Sequence, residues 1–199
     1  MSMNGAIDLE TRKVRWREFL RPDAGYGFMF HVDYPMSEAD LPAKVLPIRA
    51  NANARVERAW TVYQTQCRRA ARVPDDRIPS LSNMGGTEIF AEAFGCRLHL
   101  PAGSHPCAIP FIHTAEEADA LRVPELSTSS LAYLFDIADE LYRRGGPGAV
   151  MSLVDVQSPM DIAALIWDKS DFFVAMMDTP EQAVTLAERL NEFRADREQ

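Results

Sequence analysis

The sequence predicts an α/β fold with a parallel sheet, and three observations carry that expectation. Strand-like and helix-like segments alternate from residue 77 onward. The clearest strand, over 149–154, is an almost unbroken apolar run of the kind buried on both faces of a parallel sheet. Polar loops follow the strand candidates, as at Asn83-Met84-Gly85-Gly86 and Asp155-Val156-Gln157-Ser158.

In order along the chain, residues 8–20 set Val14, Phe19 and Leu20 among charges and predict a short amphipathic helix. Pro22, Pro35, Pro42 and Pro47 predict an extended arm over 21–48, because proline removes a backbone donor and disfavours regular structure. Over 51–72, Val56, Ala59, Trp60, Tyr63 and Cys67 recur at helical spacing, and Pro74 follows the end. Residues 77–82 form a short strand candidate. Thr87 stands where a cap is needed for a helix over 88–94, with Gly95 as its stop. Residues 96–100 alternate like a strand, and 101–126 form a proline-punctuated excursion with one helical turn at 115–121.

From Ser127 a longer helix presents Leu131, Leu134, Phe135, Ala138 and Leu141 on one face and ends at Gly145-Gly146. After the 149–154 strand a helix runs through Trp167 and another covers 170–177. There Phe172, Phe173, Met176 and Met177 fall at helical spacing and read as core. The last helix starts at Pro180, with Ala183, Val184, Ala187, Leu190 and Phe193 inward. The chain thus divides into an N-terminal arm with helices, 1–73, and a run of βα units, 74–199.

Charge narrows the function classes. Residues 1–80 carry 13 Lys/Arg against 10 Asp/Glu, a net of +3, and residues 81–199 carry 8 against 19, a net of −11. An acidic C-terminal portion repels phosphates, so no nucleic-acid partner is expected. No apolar run is long enough for a membrane span, and no signal-peptide pattern opens the chain. Three cysteines without framework spacing fit a reducing compartment, so the expectation is a cytoplasmic protein.

Two blocks bring a family into view. One runs Asp76-Arg77-Ile78-Pro79-Ser80-Leu81-Ser82-Asn83-Met84-Gly85-Gly86-Thr87-Glu88 and on to Cys96. The other starts at Leu153-Val154-Asp155-Val156-Gln157-Ser158-Pro159-Met160-Asp161 and extends through Asp178-Thr179-Pro180-Glu181. In this order, over residues 74–197, they resemble the early strand-loop-helix units of the uroporphyrinogen decarboxylase superfamily, which also holds corrinoid-dependent methyltransferases. The resemblance implies the first half of a (β/α)8 TIM-type barrel with an N-terminal helical extension, since whole barrels take ~250 residues or more. A half-barrel leaves sheet edges uncovered. The expected partners are therefore a second copy or a complementary chain, besides a small ligand of tetrapyrrole or methylated type.

The resemblance also bears on chemistry. It places the family's pyrrole-holding aspartate at Asn83 or Met84 and the family's tyrosine at Leu165, neither position matching. Arg21-Pro22-Asp23-Ala24-Gly25-Tyr26 resembles a substrate-carboxylate stretch with its second arginine missing. The implied function is the N-terminal part of a carboxy-lyase or corrinoid-linked methyltransferase, inactive alone; the alternative is a non-catalytic half-barrel subunit or truncated product that binds a complementary chain.

Strand C-terminal ends form the catalytic face of such barrels. On that ground Asp155 is the candidate catalytic residue, as general base, cation ligand or hydrogen-bond acceptor. Asn83, Gly85, Gly86, Gln157, Ser158 and Asp161 are the candidate substrate-binding residues. Helix capping is the competing role for Asp155 and Asp161. Cys96, His99, His105, Cys107 and His113 are zinc-ligand types, but their spacing fits no common module. No metal and no cofactor is assigned.

Overall fold

The computed structural model describes residues 8–23, 25, 27–33, 51–82, 86–99, 101, 106–153 and 156–195. It is a mixed α/β chain in which helices dominate and the described strands are few and short. The chain divides into two compact units, one of residues 1–83 with 137–152 and one of residues 84–136 with 153–199.

The first unit contains α1 (Leu9–Phe19), α2 (Ala52–Ala70), β1 (Ser80–Leu81), most of α5 (Ala132–Gly145) and β4 (Val150–Met151). Asn51 starts α2 by accepting a hydrogen bond from the Ala54 N–H on its side chain. β1 and β4 pair in parallel, with Ser80 opposite Val150 and Leu81 opposite Met151. The Ser152 N–H donates to the Leu81 carbonyl at 2.7 Å, and the Ser152 hydroxyl donates to the Ser80 hydroxyl at 2.8 Å. Gly145 allows α5 to approach β1, because a Cβ there would stand 2.7 Å from Leu81. Gly146 then turns the chain at φ +72°, a conformation that side chains other than glycine's rarely adopt.

α1 is not held as its apolar positions lead one to expect. Val14, Phe19 and Leu20 are exposed, whereas Arg12 is fully buried. Its guanidinium donates to the carbonyls of Arg77 at 2.8 Å, Ala70 at 2.7 Å and Val73 at 2.7 Å, and lies 3.6 Å from the Asp75 carboxylate. The Trp16 indole N–H donates to the Asp76 carbonyl at 2.7 Å. Periodicity cannot reveal such an anchor, because the stabilisation lies in hydrogen bonds to backbone carbonyls rather than in an apolar stripe. Residues 30–33 lie alongside. The Phe30 and Val32 N–H groups donate to the carboxylates of Asp76 and Asp75, each at 3.0 Å, and Arg69 donates to the Val32 carbonyl.

The second unit has an apolar core. It contains α3 (Glu88–Ala93), β2 (Arg97–His99), β3 (Cys107–Ile109), α4 (Ala115–Ala120), a 3-10 turn over Leu126–Thr128, α6 (Pro159–Ile166), α7 (Lys169–Asp178) and α8 (Pro180–Ala195). Phe90, Ile112, Leu131, Ile162, Trp167 and Leu190 are among the residues that pack it, and Phe94 meets Phe193 edge-on at 5.0 Å between ring centres.

Several expectations change here. The 96–100 segment does not join a parallel sheet: β2 pairs antiparallel with β3, which lies in the segment read as an excursion. The prolines at 101, 106 and 110 hid that strand, although none of them falls within it. Thr87 stands at the N-cap position of α3 but its side chain makes no capping bond. Of the four α7 side chains read as core only Phe172 is deeply buried; Phe173 is 62% and Met177 82% exposed. On α8 Leu186 turns inward and Val184 outward. Nor is β4 buried on both faces, since Val150 is 36% exposed and the following Leu153 88%. Among the described residues β1 is its one strand partner.

Candidate functional site

Because β1 and β4 are parallel neighbours, their C-terminal ends, Leu81 and Met151, lie on the same edge of the sheet. The candidate loops follow those ends. Of the residues named from the sequence, Asn83, Gly85 and Asp155 lie outside the described residues.

The remaining four are placed. Gly86 lies against the Glu88 carboxylate, which occupies the space that a side chain at 86 would need. Ser158 and Asp161 form a reciprocal capping box on α6. The Ser158 hydroxyl accepts the Asp161 N–H at 3.1 Å, while the Asp161 carboxylate accepts from the Ser158 N–H at 3.2 Å and from its hydroxyl at 2.7 Å. That geometry completes a helix start and leaves one Asp161 carboxylate oxygen outside it. The Gln157 side-chain oxygen is buried without a hydrogen-bond partner among the described residues. A buried acceptor left unpaired is costly, so Gln157, like the outer Asp161 oxygen, has unused hydrogen-bonding capacity.

Two concave features lie near the candidate stretches, one in each unit. In the first, a cleft of about 460 Å³ is lined by Arg15, Glu18, Phe19, Arg21, Phe28 and Met29 among others. Arg21 is already engaged: its guanidinium grips Asp23 in two bonds of 3.0 and 2.8 Å and holds that carboxyl below its ordinary range. In the second unit a cavity of about 420 Å³ opens beside Thr87 and Glu88, with Leu165 in its wall. Periodicity and spacing do not point to this cavity, because its lining comes from four separate segments. The nearest sequence signal was the loop at Gly86.

Among the described residues the clearest shifts follow ion pairing and burial. Glu140 is pulled down to about 2 by Arg143 first and Arg144 next, in an exposed ion-pair cluster on α5. The Cys96 thiol is pushed up to about 11 by burial. Burial opposes ionisation of Asp75, but the Arg69 side chain and the N–H groups of Val32 and Arg77 outweigh it, so its pKa is lowered.

Of the zinc-ligand residue types named from the sequence, His105 lies outside the described residues. Among the described residues no three His, Cys, Asp or Glu side chains are placed to hold a metal ion. No step is derived through a metal.

The fold defines a helix-rich α/β chain with a parallel strand pair. The uroporphyrinogen decarboxylase (URO-D) family model matches residues 84–196, more than half of the chain, and the protein belongs to that family. No curated protein and no solved structure matches the chain at a significant level. Among the described residues no helix is long and apolar enough to cross a membrane.

Proposed function

We propose that the chain supplies strand-end loops of a uroporphyrinogen-decarboxylase-like barrel and binds a small ligand there, a tetrapyrrole or a methylated compound. Kinship gives the reaction class as carboxy-lyase or corrinoid-linked methyl transfer. The observation that supports the reading is the parallel β1–β4 pair, which sets the C-terminal ends of two strands side by side. In this reading Asp155 handles the proton or polar group of the ligand, and Asn83, Gly85, Gly86, Gln157, Ser158 and Asp161 surround it. The absence of a carboxylate at Asn83 or Met84, and of a phenol at Leu165, counts against decarboxylation of uroporphyrinogen by this chain alone.

In a closed barrel each strand has neighbours on both sides, and β1 and β4 have only each other among the described residues. The reading therefore includes further strands, contributed by another copy or a complementary chain. A titration with uroporphyrin, followed by its visible absorption, and a parallel one with a corrinoid test it. The expected result is saturable binding of one of them. Asp155→Ala should weaken it at least about tenfold with little change in melting temperature. Absence of binding to both, or equal loss of binding and stability in Asp155→Ala, would overturn it.

A specific observation favours a second reading, a non-catalytic subunit completed by another chain. Phe173, Val174 and Met177 of α7 are all exposed apolar side chains on one short helix. Both readings require an assembly, which light scattering on the purified chain would show, and the ligand titrations separate them, since this reading requires no ligand.

A further inference from the structure

The cavity of about 420 Å³ in the second unit falls within the ~300–1,000 Å³ typical of small-ligand sites. Its wall is apolar where Ala164 and Leu165 of α6 and two prolines contribute. Around that wall stand Glu88 and Lys169, opposite charges on different helices. Neither has a hydrogen-bond or ion-pair partner among the described residues, and the two do not pair with each other. Thr87 adds a hydroxyl that makes no cap bond. Asp168 also lines the cavity. One of its carboxylate oxygens accepts the Ser170 and Asp171 N–H groups at 3.0 and 3.3 Å, and the other has no partner among the described residues.

Local helix rules account for the acids but not for the lysine. A carboxylate at or before a first turn is favoured by the helix dipole, as for Glu88 and Asp168. Lys169 is the first residue of α7, where a positive charge is disfavoured, and no acid compensates it by pairing. Lys169 is exposed, and no ion-pair partner among the described residues competes with a ligand for its ammonium.

We propose that this cavity binds a small zwitterion of the α-amino-acid type. The ligand ammonium meets Glu88 and the unpartnered oxygen of Asp168. Its carboxylate meets the Lys169 ammonium and the Thr87 hydroxyl, and an apolar side chain lies on Ala164 and Leu165. A polyanion such as a tetrapyrrole acid would face two carboxylates here, and a simple cation would face Lys169. A molecule carrying both charges matches the set. The inference goes beyond the family reading and holds whether the chain is an enzyme or a binding subunit.

The test is calorimetric titration of the whole chain with L-norleucine, and with pentylamine and hexanoate, which lack its carboxylate and its ammonium respectively. The expected result is saturable binding of norleucine with a Kd on the order of 1 mM, and each analogue at least about tenfold weaker. Lys169→Gln should erase the preference over pentylamine, and Glu88→Gln the preference over hexanoate. Both side chains are at least partly exposed, and unchanged melting temperatures would show that both variants fold. No saturable norleucine binding, equal binding of the three compounds, or affinities unmoved in both variants would overturn the proposal. Uroporphyrin binding at the strand edge is read separately, so failure here leaves that reading standing.

Discussion

The two units are stabilised by opposite means. In the second, nearly every deeply buried side chain is apolar, with α6 and α8 contributing Ile162, Ile166, Leu186 and Leu190. In the first, Arg12, Arg69, Asp75 and Asp76 are buried alongside a small apolar set that includes Val56, Leu81, Ile137 and Leu141. There the guanidiniums and carboxylates act as substitutes for a longer sheet. They tie α1, the 30–33 segment and the end of α2 together by bonding backbone groups that no strand or helix satisfies. An apolar core tolerates modest changes in shape, whereas a buried ionic network fails when one member is removed.

The largest expected effects put that contrast to its first test. Arg12→Ala leaves Asp75 buried and less well compensated and should cost about 3–5 kcal/mol in urea unfolding. Phe193→Ala in the second unit should cost a similar ~3–5 kcal/mol through loss of packing. The contrast appears on conservative replacement: Phe193→Leu should recover most of the loss and Arg12→Met little of it. Equal recovery at both positions would mean that the first unit is held by packing after all.

A smaller effect concerns pH. The folded-state pKa of Asp75 is depressed, so its contribution is complete above the ordinary value of 3.8 and disappears as pH falls through the lower folded value. Acid melts should therefore show the first unit weakening in that range, and Asp75→Asn should flatten the slope while lowering stability at neutral pH. An unchanged slope in the variant would remove Asp75 from the account of acid unfolding.

Helix starts sharpen the comparison further. Thr114 and Ser158 both head capping boxes in the second unit, on α4 and α6. Alanine at either should cost about 1 kcal/mol. If Ser158→Ala also weakens ligand binding while Thr114→Ala does not, Ser158 belongs to the site as well as to the cap. The smallest effect is expected for Val184→Ala, whose side chain is exposed, at within about 0.5 kcal/mol.

The same contrast explains what could be read from the residues. Leu131, Leu134 and Leu141, and Ala183, Leu190 and Phe193, are buried as their helical spacing requires, because apolar burial follows a period. Gly95, at φ +103°, and Gly146 end their helices, as the glycine signal implies. The Arg12 anchor could not be read, since an arginine among charges on a short helix has the pattern of a solvated face. β3 was missed because three residues between prolines give no period to detect. The cavity with Glu88 and Lys169 depends on juxtaposing residues 81 positions apart in the sequence, and no local pattern encodes that.

The interleaving of the units has a consequence for the order of assembly. The first unit leaves the chain at residue 83 and resumes at 137, and the strand that pairs with β1 comes only at Val150–Met151. During synthesis β1 must therefore wait for about seventy further residues, which exposes its edge and the surface that α5 will cover. The intervening residues 84–136 likewise lack α6 and α8, against which their core packs. Neither unit can be completed before most of the chain has left the ribosome. The long loop that must close before β1 and β4 meet makes their pairing a late and slow event.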